Sequence, residues 1–160
     1  MLKTNLLLFL IWHFLPYLQI AKDCGTKTID DCEIIYHPLQ NNNTSNFGDT
    51  YYRFYLNDGV LVYFTASQNL ERTDGHRKFA VLYIDINGQK GPNKSGRDIF
   101  EFDYMIDGLY PELNGKLNPR FGHKTREDIL TDNCNKNVSG LGCAALIMKD
   151  GWQIKDDYPW

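Results

Sequence analysis

Oxygen-bearing side chains are concentrated between Asp85 and Asp98, in the stretch DINGQKGPNKSGRD. Carboxylate and amide oxygens at such close spacing suit calcium, and the candidate ligands are Asp85, Asn87 and Asp98. The stretch is not an EF-hand, because a loop that starts at Asp85 needs glycine where Lys90 stands and glutamate where Gly96 stands. A structured turn also explains these residues, since an Asn-Gly pair supplies positive φ angles and Asp98 can cap or orient the next strand. The pattern favours the turn over the metal site.

Catalytic and cofactor-binding motifs are missing from the sequence. There is no G-x-S-x-G, P-loop or G-x-G-x-x-G pattern. Asp-Gly turns supply acidic residues, and nothing in the sequence singles out a glycosidase-like carboxylate pair. The four histidines are scattered without metal-binding spacing; they are His13, His37, His76 and His123. We therefore expect no enzymatic activity and no cofactor. The net charge of −3 also argues against nucleic acid as a partner.

The four cysteines form two close pairs, Cys24 with Cys32 and Cys134 with Cys143. Neither pair has zinc-knuckle or thioredoxin-like spacing. Both lie in polar, turn-rich stretches with no core in which to bury a thiol, so we predict two local disulfides. Four cysteines allow three connectivities, and four unrelated buried thiols are the alternative. Disulfides would place the protein in the periplasm, at the cell surface or outside the cell.

The length of 160 residues predicts one domain, and an aromatic content of 14% favours a β-rich body. We predict a hairpin of strands 51–57 and 60–66, joined at an Asp-Gly turn. The apolar run 79–86 predicts a central strand buried on both faces. The alternating run 99–104 predicts a strand with Phe100, Phe102 and Tyr104 on the core, and with Ile99, Glu101 and Asp103 towards water.

The N-terminal run Leu6–Ile20 is apolar apart from a few interruptions. Its spacing predicts an amphipathic helix, with a cleaved signal peptide or a membrane anchor as alternatives. We divide the chain into the end of this helix, residues 1–22, and a globular head, residues 23–160. The predicted fold class is α+β, with the N-terminal helix packed on a small antiparallel sheet.

Several motifs resemble bacterial type IV pilin-like and type II secretion pseudopilin-like proteins. The resemblance is carried by LYIDINGQKGPNKSGRD at 82–98, by the hairpin LNDGV at 56–60, and by CAALIMKDGW at 143–152. Residues 14–24 also resemble the lower end of the long N-terminal helix of that group. The motif positions are Asn87, Gly88, Gly91, Pro92, Asn93, Gly96, Asp98, Gly151 and Trp152.

This resemblance implies a pilin-like head, with Cys134 and Cys143 forming its C-terminal bridge. It also implies a structural subunit that polymerises with other pilin or pseudopilin subunits, as in a fimbrial fibre or a pseudopilus. Such subunits sit in the inner membrane through the helix before assembly, and their heads are periplasmic or extracellular. The family's leader and its F-T-x-x-E motif are missing from this sequence. We therefore expect Met1 to lie inside the long helix.

A second class of function is a secreted, β-rich ligand-binding module. It would hold a carbohydrate or protein ligand through exposed tyrosine and tryptophan side chains, with calcium at 85–98. This hypothesis expects a signal peptide that is cleaved near residue 21.

Overall fold

The computed structural model describes residues 15–27, 30–66, 78–105, 108–113 and 125–159. Within these residues, six strands form one antiparallel sheet in which every strand pairs with its neighbours in sequence. The strands are β1 (Ile20–Gly25), β2 (Tyr52–Leu56), β3 (Leu61–Ala66), β4 (Lys78–Asp85), β5 (Ile99–Met105) and β6 (Gly108–Pro111). Two short helices follow, α1 (Arg126–Asp132) and α2 (Cys143–Lys149). Single 3₁₀ turns occupy Leu15–Tyr17 and Asp30–Cys32.

The predicted hairpin at Asp58-Gly59 is confirmed by the pairing of β2 with β3. The Leu56 amide donates to the Val60 carbonyl at 2.9 Å, and Asp58 accepts the Val60 amide at 3.2 Å. Gly59 has a φ of 88°, which only glycine adopts without strain. The turn is therefore specified by residues that are adjacent in sequence.

The predicted fold class is wrong, because the described chain is mostly a six-stranded sheet with two short helices. Residues predicted as the end of an N-terminal helix instead form a 3₁₀ turn at Leu15–Tyr17 and then the edge strand β1. Pro16 lacks the amide that a helix needs, and Ile20, Lys22 and Asp23 pair with β2. The part of this prediction at residues 1–14 lies outside the described residues. No helix in the described part of the chain is long and apolar enough to cross a bilayer.

The orientation predicted for β5 is also wrong. Ile99, Glu101 and Asp103 are buried, while the aromatic face with Phe102 and Tyr104 is half-buried. Side chains alternate along a strand, so one error in choosing the covered side inverts every residue. The prediction for β4 is right about its central place, since it pairs with β3 and β5. It is wrong about burial on both faces, because side chains 81–84 are only half-buried.

The covered face of the sheet packs against two separate parts of the chain. The segment 30–51 covers one part, where the Phe47 ring stacks on Tyr63 with centroids 4.0 Å apart. Helix α2 packs against β5 and β6 and forms a second cluster with Leu113, Ile129 and Leu146. Helix α1 begins at a capping box, in which Thr125 and Asp128 bond to each other's backbone amides. That pair is the local signal that predicts a helix start in this polar region.

A buried guanidinium ties the covering segment to the sheet. Arg53 in β2 is 0% exposed, and its Nη2 lies 2.6 Å from the carboxylate of Glu33. Its nitrogens also donate to the carbonyls of Thr26, Gly48 and Tyr51. The guanidinium carbon lies 5.5 Å from the centre of the Tyr63 ring. One side chain therefore joins several parts of the chain that are distant in sequence.

Candidate functional site

The loop between β4 and β5 is organised by two aspartates at the ends of those strands. Asp85 accepts the amide of Asn87 at 3.1 Å, and the two oxygens of Asp98 accept the amides of Asn93 at 2.7 Å and Lys94 at 2.5 Å. Gly88 and Asn93 have positive φ angles of 65° and 50°. These are contacts of a structured turn, and they bring most of the predicted site residues into one loop.

The same loop is packed closely against the rest of the molecule at two glycines. A Cβ added to Gly88 would lie 2.9 Å from the carbonyl oxygen of Gly59, and one added to Gly96 would lie 2.8 Å from Cys143 Sγ. The Tyr158 hydroxyl also donates to the Gly96 carbonyl at 2.5 Å. By contrast, Gly91 has no neighbour near its Cβ position, and Pro92 beside it is exposed and follows a cis peptide bond. The loop is thus fixed at both ends and open in the middle.

Asp85, at the end of β4, is a buried carboxyl group with a raised pKa. Its side chain is fully buried, and burial together with the neighbouring charge of Asp98 raises the pKa of Asp85 to about 7. The amides of Asn87 and Gly88 act in the opposite direction. Burial and the neighbouring Asp98 therefore disfavour the charged form of Asp85 when no cation is bound.

A second acidic group lies on the covered face of the sheet, although the sequence predicted that Glu101 and Asp103 face solvent. One carboxylate oxygen from each of Glu101, Asp103 and Glu112 lies within 4.8 Å of the others, and all three residues are buried. The hydroxyl of Tyr83 bonds to Glu101, and burial raises the pKa of Tyr83 far above its usual range. Alternation along β5 places Glu101 and Asp103 together. Glu112 joins them only because β6 folds back on β5, so the sequence carries no signal for it.

An apolar groove of about 430 Å³ lies on the opposite face of the sheet. Its walls carry no charged side chain. Strands β2 to β6 contribute most of them, through Phe54, Val62, Phe64, Leu82, Ile84, Tyr104 and Leu109. Leu15 and Leu18, which precede β1, line the same groove. Of the aromatic face that was predicted to be core, Tyr104 lines this groove.

Both predicted disulfides are present and local. Cys24 is bonded to Cys32, which ties β1 to the covering segment, and Cys134 is bonded to Cys143, which ties the end of α1 to the start of α2. All four cysteines are buried. The remaining motif residues, Gly151 and Trp152, form the exposed turn after α2, where both have positive φ angles. Trp152 is 63% exposed and is not brought near the loop by any described contact.

Comparison with known proteins gives a family and no function. No curated protein and no solved structure matches the chain significantly. The model of a family of unknown function (DUF6613) matches residues 35–160, which is well over half of the sequence. The match includes residues 35–51 of the covering segment, strands β2 to β6 and both helices. The chain therefore belongs to this family of unknown function, DUF6613.

Proposed function

We propose that the protein is a non-enzymatic structural subunit of a surface polymer, of the kind formed by type IV pili or type II secretion pseudopili. The sequence resemblance at 82–98 and 143–152 supports this proposal. The two disulfides are in keeping with an extracytoplasmic location in the cell envelope or at the cell surface. The partners would be other subunits of the same polymer.

The observation that carries the proposal is the apolar groove on this face of the sheet, with Leu18 and Leu109 exposed to solvent. A sheet normally buries its apolar face against another layer, and large exposed apolar patches commonly mark interaction sites. Here the groove crosses β2 to β6. Phe54, Val62 and Phe64 in its walls are buried, whereas Leu18 and Leu109 are 38% and 46% exposed. With no N-terminal helix in the described chain, the contact surface that we assign to assembly is this groove.

A second copy of the chain is the occupant that fits this role. Every copy carries both the groove and the apolar run Leu6–Ile20, and side chains from the end of that run already line the groove. Apolar surface from a neighbouring copy therefore has the chemistry that the groove accepts. The uncharged walls would not select a charged partner.

The test is the concentration dependence of assembly of the exported, disulfide-bonded protein. Light scattering and electron microscopy would compare wild type with Leu18→Lys and Leu109→Lys, which place charges on exposed positions of the groove. Ile154→Lys is the matched control, because Ile154 is 50% exposed and does not line the groove. We expect the groove variants to assemble more weakly than wild type and the control to be unchanged. Wild type that stays monomeric at every concentration would overturn the proposal.

A ligand-binding module is the second candidate, and the size of the groove favours it. About 430 Å³ of apolar space lies within the range of small-molecule pockets. N-terminal sequencing of the exported protein separates the two functions. Cleavage near residue 21 would remove Leu15 and Leu18 from the groove, which opens it to a ligand and favours the module.

A further inference from the structure

Several buried side-chain oxygens without a hydrogen-bond partner share one loop, between β4 and β5. Among the described residues they are Asp85 Oδ2, Asn87 Oδ1, Asn93 Oδ1 and Ser95 Oγ. Asp85 is 0% exposed and Ser95 is 1% exposed, so bulk water does not reach either side chain. Buried polar atoms are nearly always paired, which means that something else must satisfy this set.

The charge in this loop indicates what that partner is. Asp85 lies close enough to Asp98 for their charges to interact, and Asp98 holds the backbone on either side of the Asn93 peptide. Asn87 is joined to Asp85 through its own amide. The one ammonium group with a described bond in this loop, Lys94 Nζ, points away to Asn42 Oδ1 at 3.4 Å. Both oxygens of Asp98 accept backbone amides, so one carboxylate oxygen of Asp85 and three neutral oxygens remain for a cation.

We propose that this loop binds a calcium ion, with Asp85 as the charged ligand and Asn87, Asn93 and Ser95 as neutral oxygen ligands. Calcium takes six to eight oxygen ligands in flexible geometry, so backbone carbonyls and waters would complete the shell. Magnesium demands a near-ideal octahedron and keeps most of its waters, which suits a buried, protein-lined loop less well. Zinc prefers histidine and cysteine, and the loop has neither.

The structural consequence would be a rigid connection between the two central strands. The ion would join Asp85, the last residue of β4, to the residues that precede β5. This inference is independent of the proposed subunit function, since the loop residues of the site do not line the apolar groove. The protein could therefore bind calcium without assembling, or assemble without binding calcium.

The experiment measures the melting temperature of the full-length, disulfide-bonded protein, first stripped with EDTA and then titrated with calcium chloride. At a calcium concentration about a hundredfold above the dissociation constant, we expect a rise of roughly 5–10 °C for a chain of this size. Asp85→Asn should abolish that rise, and Ser95→Ala should reduce it. Asp58→Asn is the control, because Asp58 makes a similar turn contact with the Val60 amide and is exposed.

The behaviour of Asp85→Asn without calcium keeps the test decisive. The amide preserves an acceptor for Asn87 and removes a buried charge beside Asp98, so this variant should fold in EDTA at least as well as wild type. A wild-type melting temperature that calcium does not change would overturn the inference and assign the four oxygens to buried water. A rise that survives in Asp85→Asn would overturn it as well, because the ion would then be bound elsewhere.

Discussion

Replacing Arg53 by methionine should cost a large part of the stability of the fold. Arg53 is fully buried, and its side chain bonds the Glu33 carboxylate and three backbone carbonyls. Removing one partner of a buried ion pair costs about 3–5 kcal/mol, because the other charge stays buried without compensation. The Glu33 side chain is only 15% exposed, so it falls in this class. We expect the free energy of unfolding to fall by about 4 kcal/mol.

Urea unfolding followed by tyrosine and tryptophan fluorescence measures this change, with the disulfides kept intact. The matched control is Arg126→Met. Arg126 also bonds two carboxylates, but neither would be left buried without a cation. Asp157 is 52% exposed, and the buried Asp150 keeps Lys155 at 2.8 Å when Arg126 is removed. The control should therefore lose much less stability than the Arg53 variant.

A double variant tests the cause as well as the size of the effect. Adding Glu33→Gln to Arg53→Met removes the uncompensated charge, so part of the lost stability should return. A loss below about 1 kcal/mol for Arg53→Met alone would refute the reasoning, since it would mean that water satisfies Glu33 and the carbonyls. A double variant that is as unstable as the sum of the single variants would refute the ion-pair explanation.

Three further predictions follow from the loop and the C-terminal bridge. Cys134→Ser with Cys143→Ser should lower the free energy of unfolding by about 2.5 kcal/mol, measured by urea unfolding, because the bond closes a short loop. Gly96→Ala should destabilise the protein by about 1–3 kcal/mol, because Gly96 has a φ of 77° and the added Cβ would meet Cys143 Sγ. The control Gly91→Ala should be nearly neutral in the same assay, because the space around the Gly91 Cβ position is open. Burial raises the pKa of Asp85 from 3.8 to about 7, so in EDTA the folded state holds a proton that the unfolded state has lost between these values. The stability contributed by Asp85 should therefore be full below about pH 4 and lost as pH rises to 7. Asp85→Asn should remove this dependence of the unfolding free energy on pH. A dependence that is unchanged in Asp85→Asn would contradict its assignment to Asp85.

The local features of this protein were predictable because each depends on residues that are close in sequence. The Asp58-Gly59 turn has its own hydrogen bonds and a glycine with positive φ. The two disulfides close loops between cysteines that are eight and nine residues apart, so short chain segments bring the sulfurs together. The positions of β2 to β5 followed from apolar runs and turn signals, within a residue or two at each end.

The candidate loop was predictable only as a set of residues. Asp85, Asn87 and Asp98 were read from composition and spacing, and they do belong to one loop. The burial of Ser95 and Asn93 depends on contacts with distant segments, since Ser95 donates its amide to His37 and Gly96 meets α2. No periodicity in the loop itself indicates those neighbours.

Taken by itself, the sequence determined where strands alternate, where the chain turns and which cysteines pair. It did not determine which face of the sheet is covered, because alternation sorts side chains into two faces and says nothing about what packs on each. The segment 30–51 and helix α2 pack on the face that carries Glu101 and Asp103, and the apolar groove lies on the opposite face. The apolar run Leu6–Ile20 suggested that residues 1–22 are the end of a helix. Ile20–Gly25 is instead the strand β1, because its backbone pairs with β2, which lies about thirty residues later in the chain.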